Sequence, residues 1–282
     1  MARRDPGFAH LIGAFDATLA FHNVDTAVVQ SWLPPGLTLD PAPTAPEGQH
    51  PYYLGYIVAS PCHWSILPLM AMKVRAMALV VPNVRIITLK RGYLGPYGYV
   101  LRWWSAGERF IDLGGRLWGL PPAPERVRPS VGKIEGLVEV PGQVSMATRD
   151  HGEIPEWPRV RELCRLLQLP LLTQRPNGRL SVVGMYWNVS DADMRACETR
   201  LEVLPGALPP GALVPDGKLG CAVDGTRNML TGGTFRMGSI CTMTRAGPPE
   251  KDWSPWRSGP RLRLRVDLSP NEIGPWAEKQ GL

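Results

Sequence analysis

The sequence predicts a mainly β fold (α+β, with a few helices) in one domain, residues 1–282, and two observations lead there. Thirty prolines and thirty glycines punctuate the chain, and short apolar runs rich in β-branched and aromatic residues lie between them. That is the pattern of many strands joined by turns. Only residues 157–169 show clear helical spacing over more than two turns: Val160, Leu163, Leu166 and Leu167 share a face, and Pro170 ends it. A chain of this length that is 44% hydrophobic has ample material for a core. No internal repeat or composition break marks a second domain.

Taken in order, residues 23–33 predict a short helix, capped by Asn23 or Asp25 and stopped by Pro34 and Pro35. Residues 42–51 read as a loop. Three or four strands are expected over 52–104, divided at Pro61, Pro68, Pro82, Gly92 and Gly95. Residues 108–123 predict a strand entering a Gly- and Pro-rich turn. Further strands are expected at 179–188, 195–204, 233–244 and 261–267, before a capping box at Ser269–Glu272.

The formal charge of +6 comes mostly from arginines that are scattered, apart from the alternating Arg261, Arg263 and Arg265. Alternation puts those three on one strand face, so no nucleic-acid surface is expected. Five cysteines, odd in number and without a C-x-x-C pair, point to a reducing cytoplasm. The apolar stretch 64–81 is broken by Lys73 and Arg75, and no hydrophobic run follows Arg3 and Arg4, so neither a membrane span nor a signal peptide is expected. Phosphate-loop, dinucleotide, zinc-protease and nucleophile-elbow motifs are all missing, which leaves no expected cofactor. The five histidines are too dispersed to suggest a metal site. Cys62 and His63 are strand neighbours that point to opposite faces, not a nucleophile and its base.

Several segments carry a resemblance in the right order. They are Leu33-Pro34-Pro35-Gly36-Leu37, Gly95-Pro96-Tyr97-Gly98-Tyr99, the run Gly114 to Ala123 (GGRLWGLPPA), PLLTQRPNG at 170–178, and Gly259-Pro260-Arg261-Leu262. The chain thereby resembles the acetoacetate decarboxylase-like superfamily, whose corresponding motif is Gly-Arg-Glu, four variable residues and Pro-Lys-Lys. The resemblance implies a closed, cone-like antiparallel β-barrel with peripheral helices, an apolar interior and a homo-oligomeric state. Trp253, Trp256 and Trp276, outside the expected core, also suit assembly.

In the family a lysine forms an imine with a ketone, and a neighbouring lysine depresses its pKa, an activation for which acetoacetate decarboxylase is the standard example. Here the two matching positions are Pro122 and Ala123, and neither can form an imine. The assisting glutamate falls at Ala76 or Asn83, the Glu after Gly-Arg becomes Arg116 and Leu120 replaces an aromatic. The family's polar position near the first helix falls near Asn23. The implied divergent site uses Arg116 and Tyr99 for catalysis, with Arg75, Asn83, Trp103, Trp104, Trp118, Leu120, Pro122 and Asn23 against a small carbonyl or carboxylate ligand. Trp103 and Trp104 must face opposite ways on a strand. Lys73 and Lys90 are the two lysines placed to act as a relocated amine. An enzyme without imine chemistry and a non-catalytic small-molecule-binding protein both fit these residues.

Overall fold

The computed structural model describes residues 11–43, 45–64, 67–88, 95–118, 122–131, 135–150, 166, 169, 171–174, 180–184, 194–214, 219–228 and 244–245. The expected strands at 233–243 and 261–267, the C-terminal capping box, the three C-terminal tryptophans, Lys90 and nearly all of the 157–169 helix lie outside these residues. Leu166 is helical, and it and Leu169 are buried.

Among the described residues, thirteen strands form one sheet. The first is β1 (Leu11–Asp25), followed by α1 (Thr26–Gln30) and β2 (Leu37–Leu39). The long strands β3 (Gln49–Trp64) and β4 (Leu67–Ile86) come next, then β5 (Tyr97–Ser105) and α2 (Arg109–Trp118). After these come β6 (Arg128–Val131), β7 (Glu135–Val140), β8 (Val144–Asp150), β9 (Leu171–Gln174) and β10 (Leu180–Gly184). The last are β11 (Met194–Val203), β12 (Leu219–Asn228) and β13 (Thr244–Arg245). The order across the sheet is β13-β10-β9-β5-β4-β3-β1-β12-β11-β8-β7-β6, with β2 beside β4. Among the described residues this path is open, ending at β13 and β6. Its pairings are antiparallel except that β5 and β9 run parallel through Gly98–Leu171 and Tyr99–Leu172, which corrects the all-antiparallel expectation.

The core explains why alternation is weak in the first half of the chain. Residues 51–56, 79–84 and 97–100 are buried without a break, because the central strands are covered on both faces. One face carries the main core, which includes Trp32, Tyr52, Leu54, Tyr56, Met77, Leu79, Tyr97, Tyr99 and Trp104. The other carries Leu19, Tyr53, Val80 and Val100, with Phe21, Ala78, Trp103 and Leu171 against them. The β7–β8 hairpin and β11 instead alternate buried with exposed or half-buried residues, and Val138, Val140, Met146, Leu201 and Val203 join the main core.

Two local expectations change. The first helix is one short stretch capped by Asp25, whose carboxylate accepts from the backbone N–H of Ala27 at 2.8 Å. Asn23 belongs to β1 and is exposed, since the pairing of β1 with β3 continues through Asp25. Residues 109–118 are a helix, not a strand. Gly107, at φ +100, turns the chain sharply out of β5, and the Glu108 carbonyl accepts from the N–H groups of Ile111 (2.9 Å) and Asp112 (3.0 Å).

Candidate functional site

Register builds the site from β4 and β5. Met77 lies opposite Trp104, and Arg75, two residues before Met77, shares its face. Arg75 and Trp104 are therefore diagonal neighbours on the core face. Across β3, Tyr56 and Val58 stand opposite Met77 and Arg75. Just past β5, Ala106 donates its N–H to the Arg75 carbonyl at 3.0 Å.

This end of the core is polar. Arg75 Nε donates to Glu108 Oε1 at 2.9 Å, with the arginine side chain 34% and the glutamate 18% exposed. Glu108 Oε2 is buried and has no hydrogen-bond partner among the described residues, and the same holds for Nε1 of the fully buried Trp104. Leaving a buried donor or acceptor unmade costs about 1–3 kcal/mol. The indole donor and the carboxylate acceptor are thus two unmade buried polar atoms among the described residues, on residues that the β4–β5 register and the Arg75–Glu108 pair bring to one end of the core.

Behind it lies a polar staple. Ser105, fully buried, donates its hydroxyl to Asp112 Oδ1, while Arg126 donates to Ser105 Oγ at 2.8 Å and to Asp112 Oδ2 at 2.7 Å. Ala123 and Val127 then run back along β5, their N–H groups donating to the carbonyls of Trp103 (2.9 Å) and Ser105 (3.1 Å). Ala123 is buried in the same core as Trp104 and Tyr99, and Pro122 is half-buried. The residue after Pro122 thus reaches the core with a methyl group.

The predicted residues distribute as follows. Tyr99 and Trp104 face the main core and Trp103 the opposite cluster. Burial pushes the Tyr99 phenol up to about 12, which keeps it a protonated donor at neutral pH. Asn83 is buried at a bulge in β4, at φ +55, where its carbonyl accepts from the Asp40 N–H at 2.7 Å. Arg75 belongs to the polar end of the core through its ion pair. Arg116 does not: it is exposed on α2, and that corrects its expected inward position. Ile111 is buried on the helix, and Arg116, five residues later, comes round to the far side with Arg109 and Leu113. Lys73 is exposed on β4, which removes it as a relocated buried amine. Leu120 and the Trp118 side chain lie outside the described residues. Glu108 was missed in the sequence, although a carboxylate just after a strand containing two tryptophans was a visible signal.

No family model and no curated protein matches the sequence. Solved structures do. The structure of acetoacetate decarboxylase from Legionella pneumophila superposes with a TM-score of 0.50 at 12% identity, covering 85% of this chain and 88% of that one. An acetoacetate decarboxylase-like enzyme from Sphingomonas wittichii RW1 gives 0.49 at 14% identity, covering 85% and 94%. The enduracididine biosynthesis enzyme MppR, complexed with the condensation product of pyruvate and imidazole 4-carboxaldehyde, gives 0.45 at 14%, covering 77% and 86%.

Proposed function

We propose that this chain, which has the acetoacetate decarboxylase-like fold, acts on a small carbonyl compound by stabilising its enolate without forming an imine, in a lyase, dehydratase or cyclase step. The observation that carries this reading is the Arg75–Glu108 ion pair at the end of the core that the register also gives to Trp104, with Glu108 Oε2 and Trp104 Nε1 both buried and unmade among the described residues; the sequence match that sets Ala123 against a family lysine supports it.

The chemistry follows from the groups. Glu108 takes the α-proton, the C–H electron pair moves into the carbonyl, and the developing oxyanion is met by the indole N–H of Trp104 and the guanidinium of Arg75. An arginine holds its charge and orients an anion but supplies no nucleophile. The proton returns from Glu108 to carbon or to a leaving hydroxyl, so the step balances without a cofactor.

The test is α-proton exchange of 4-hydroxybutan-2-one in deuterated water, followed by NMR. Exchange should be accelerated by the protein and fall about 100-fold or more in Glu108→Gln, in line with the usual contribution of a positioned base. Borohydride treatment with acetoacetate or pyruvate should leave the intact mass unchanged. A reduced adduct on a lysine, or exchange untouched by Glu108→Gln, overturns the reading. The exposed position of Arg116 favours a second one, a non-catalytic small-molecule-binding protein, in which the same atoms hold a ligand and exchange is not accelerated.

A further inference from the structure

Among the described residues the Glu108 carboxylate has one partner, Arg75 Nε at 2.9 Å, on an arginine side chain that is 34% exposed. An ion pair so open to water is a weak constraint on a long, flexible side chain. The backbone of Glu108 is held far more firmly. Its carbonyl accepts from the N–H groups of Ile111 (2.9 Å) and Asp112 (3.0 Å), and one residue earlier Gly107 donates its N–H to Ser105 Oγ at 3.2 Å. The Ser105 hydroxyl in turn donates to Asp112 Oδ1. These bonds close a ring that runs from Ser105 through Gly107 to Glu108, across the Glu108 carbonyl to Asp112, and back through the Asp112 carboxylate to Ser105.

The ring is anchored on both sides. Ser105 is fully buried at the end of β5, and the N–H of the neighbouring Ala106 donates to the carbonyl of Arg75 itself at 3.0 Å. Arg126 braces the ring from the returning segment, donating to Ser105 Oγ at 2.8 Å and to Asp112 Oδ2 at 2.7 Å. The serine oxygen thus accepts two hydrogen bonds and donates one, the full capacity of a hydroxyl. Two of those three bonds have an ionised partner, which makes them the stronger kind. We infer that Ser105 is a positioning residue that aims Glu108 at Arg75, acting through the backbone of Gly107 and Glu108 and not by touching the ligand. The catalytic consequence rests on the preceding reading of Glu108 as the base, whereas the aiming of Glu108 does not.

The Arg75 Nε–H resonance of isotope-labelled protein reads the ion pair directly, and its absence in Arg75→Lys identifies it. In wild type the bond to Glu108 slows exchange of this proton with water, and Glu108→Ala gives the rate without a partner. Ser105→Ala should speed the exchange about tenfold or more, toward the Glu108→Ala rate, while the amide shifts of β3 stay in place. A brace that only stabilises α2 would leave the Nε–H rate unchanged. In α-proton exchange of 4-hydroxybutan-2-one, Ser105→Ala should lower kcat about tenfold or more and leave KM within about twofold, as a misdirected base does. Where Ser105→Ala does not fold, Arg126→Met takes its place: Arg126 is half-exposed, and losing its brace should speed Nε–H exchange about threefold or more. An Nε–H rate unchanged in the folded variant overturns the inference, because Ser105 then does not aim Glu108. A raised KM at constant kcat also overturns it, because Ser105 then meets the ligand. The two proposals fail separately. Faster Nε–H exchange with no catalysed α-proton exchange, or with kcat unaltered, sinks the catalytic reading and spares this one. Catalysis that needs Glu108 but ignores Ser105, with the Nε–H rate unchanged, does the reverse.

Discussion

Which tryptophan enters the core is decided by one extra residue. Tyr97 and Tyr99 face the main core, so strict alternation would bring Trp103 in beside them. The β4–β5 register instead shifts between Leu79–Arg102 and Val80–Val100, leaving Leu101 as a bulge, and the parity of β5 changes there. Trp104 therefore carries its unmade N–H into the core, and Trp103 joins the opposite cluster. A second shift, between Val81 and Val84, accommodates Pro82 and the left-handed Asn83 inside β4, where a regular central strand would reject a proline. The carbonyl of that proline accepts from Nε2 of the buried His50 at 2.8 Å, which sets the proton on Nε2 of the neutral ring. Burial holds the His50 pKa below its ordinary value, against the opposing effects of the Pro82 hydrogen bond and of Asp40. The unfolded chain thus binds more protons than the folded one from the ordinary histidine value downward. Stability should fall as pH is lowered through about 6.5 and keep falling until the folded-state pKa is passed. His50→Gln keeps an N–H donor and removes the titration. Urea midpoints measured between pH 7.5 and 5 should therefore decline less steeply in the variant, and an identical slope counts against the assignment.

At the scale of elements, α2 shows how a local signal misleads. Gly114 and Gly115 are poor helix formers, each about 1 kcal/mol worse than alanine, and Pro121 and Pro122 follow closely. A turn was the natural reading. The helix forms because its surroundings hold it. Ile111 is buried, and Asp112 is tied to Ser105 at the end of β5 and to Arg126 on the returning segment. The turn into it depends on Gly107 at φ +100, where a Cβ would find room 3.8 Å from the Arg126 side chain. Gly107→Ala should therefore cost about 1–2 kcal/mol through backbone strain and not through a clash. Ser105→Ala should cost about 1–3 kcal/mol, because it strips a partner from a half-buried carboxylate. Denaturant unfolding measures both, and a change below 0.5 kcal/mol in either, on the scale of about RT, would show that the staple does not support α2.

Across the whole molecule, stability is unevenly spread. The centre of the sheet is buried on both faces along 51–56, 79–84 and 97–100 of β3–β5, whereas the β6–β8 end packs one face only and leaves Leu137 exposed. Amides of β3 and β4 should accordingly exchange with solvent only through global opening, and those of β6 and β7 through smaller openings. Hydrogen exchange read by mass spectrometry checks this, and equal protection at both ends would contradict it. The candidate site sits where β5 leaves the doubly covered centre, a rigid support on which buried polar atoms keep their positions.

The sequence by itself determined the β-rich class, a capped short helix ending before Pro34, the strands beginning near 180 and 194, and the opposed faces of Trp103 and Trp104. These rest on spacing and residue type within a few positions, and no distant contact has to be known to read them. That Pro122 and Ala123 carry no amine was also legible, because an absent amine is a matter of composition. The tertiary structure decided the rest. Continuous burial over 51–56, 79–84 and 97–100 erased the alternation in the middle of β3, β4 and β5. The bulge at Leu101, visible only once β4 lies beside β5, chose Trp104 over Trp103. Arg116 turned outward because Ile111 anchors the opposite side of α2, and Glu108 entered the candidate site because Arg75, thirty-three positions earlier, meets it in an ion pair. Such outcomes depend on long-range register and on which faces are covered, and neither quantity is written in any local window of the chain.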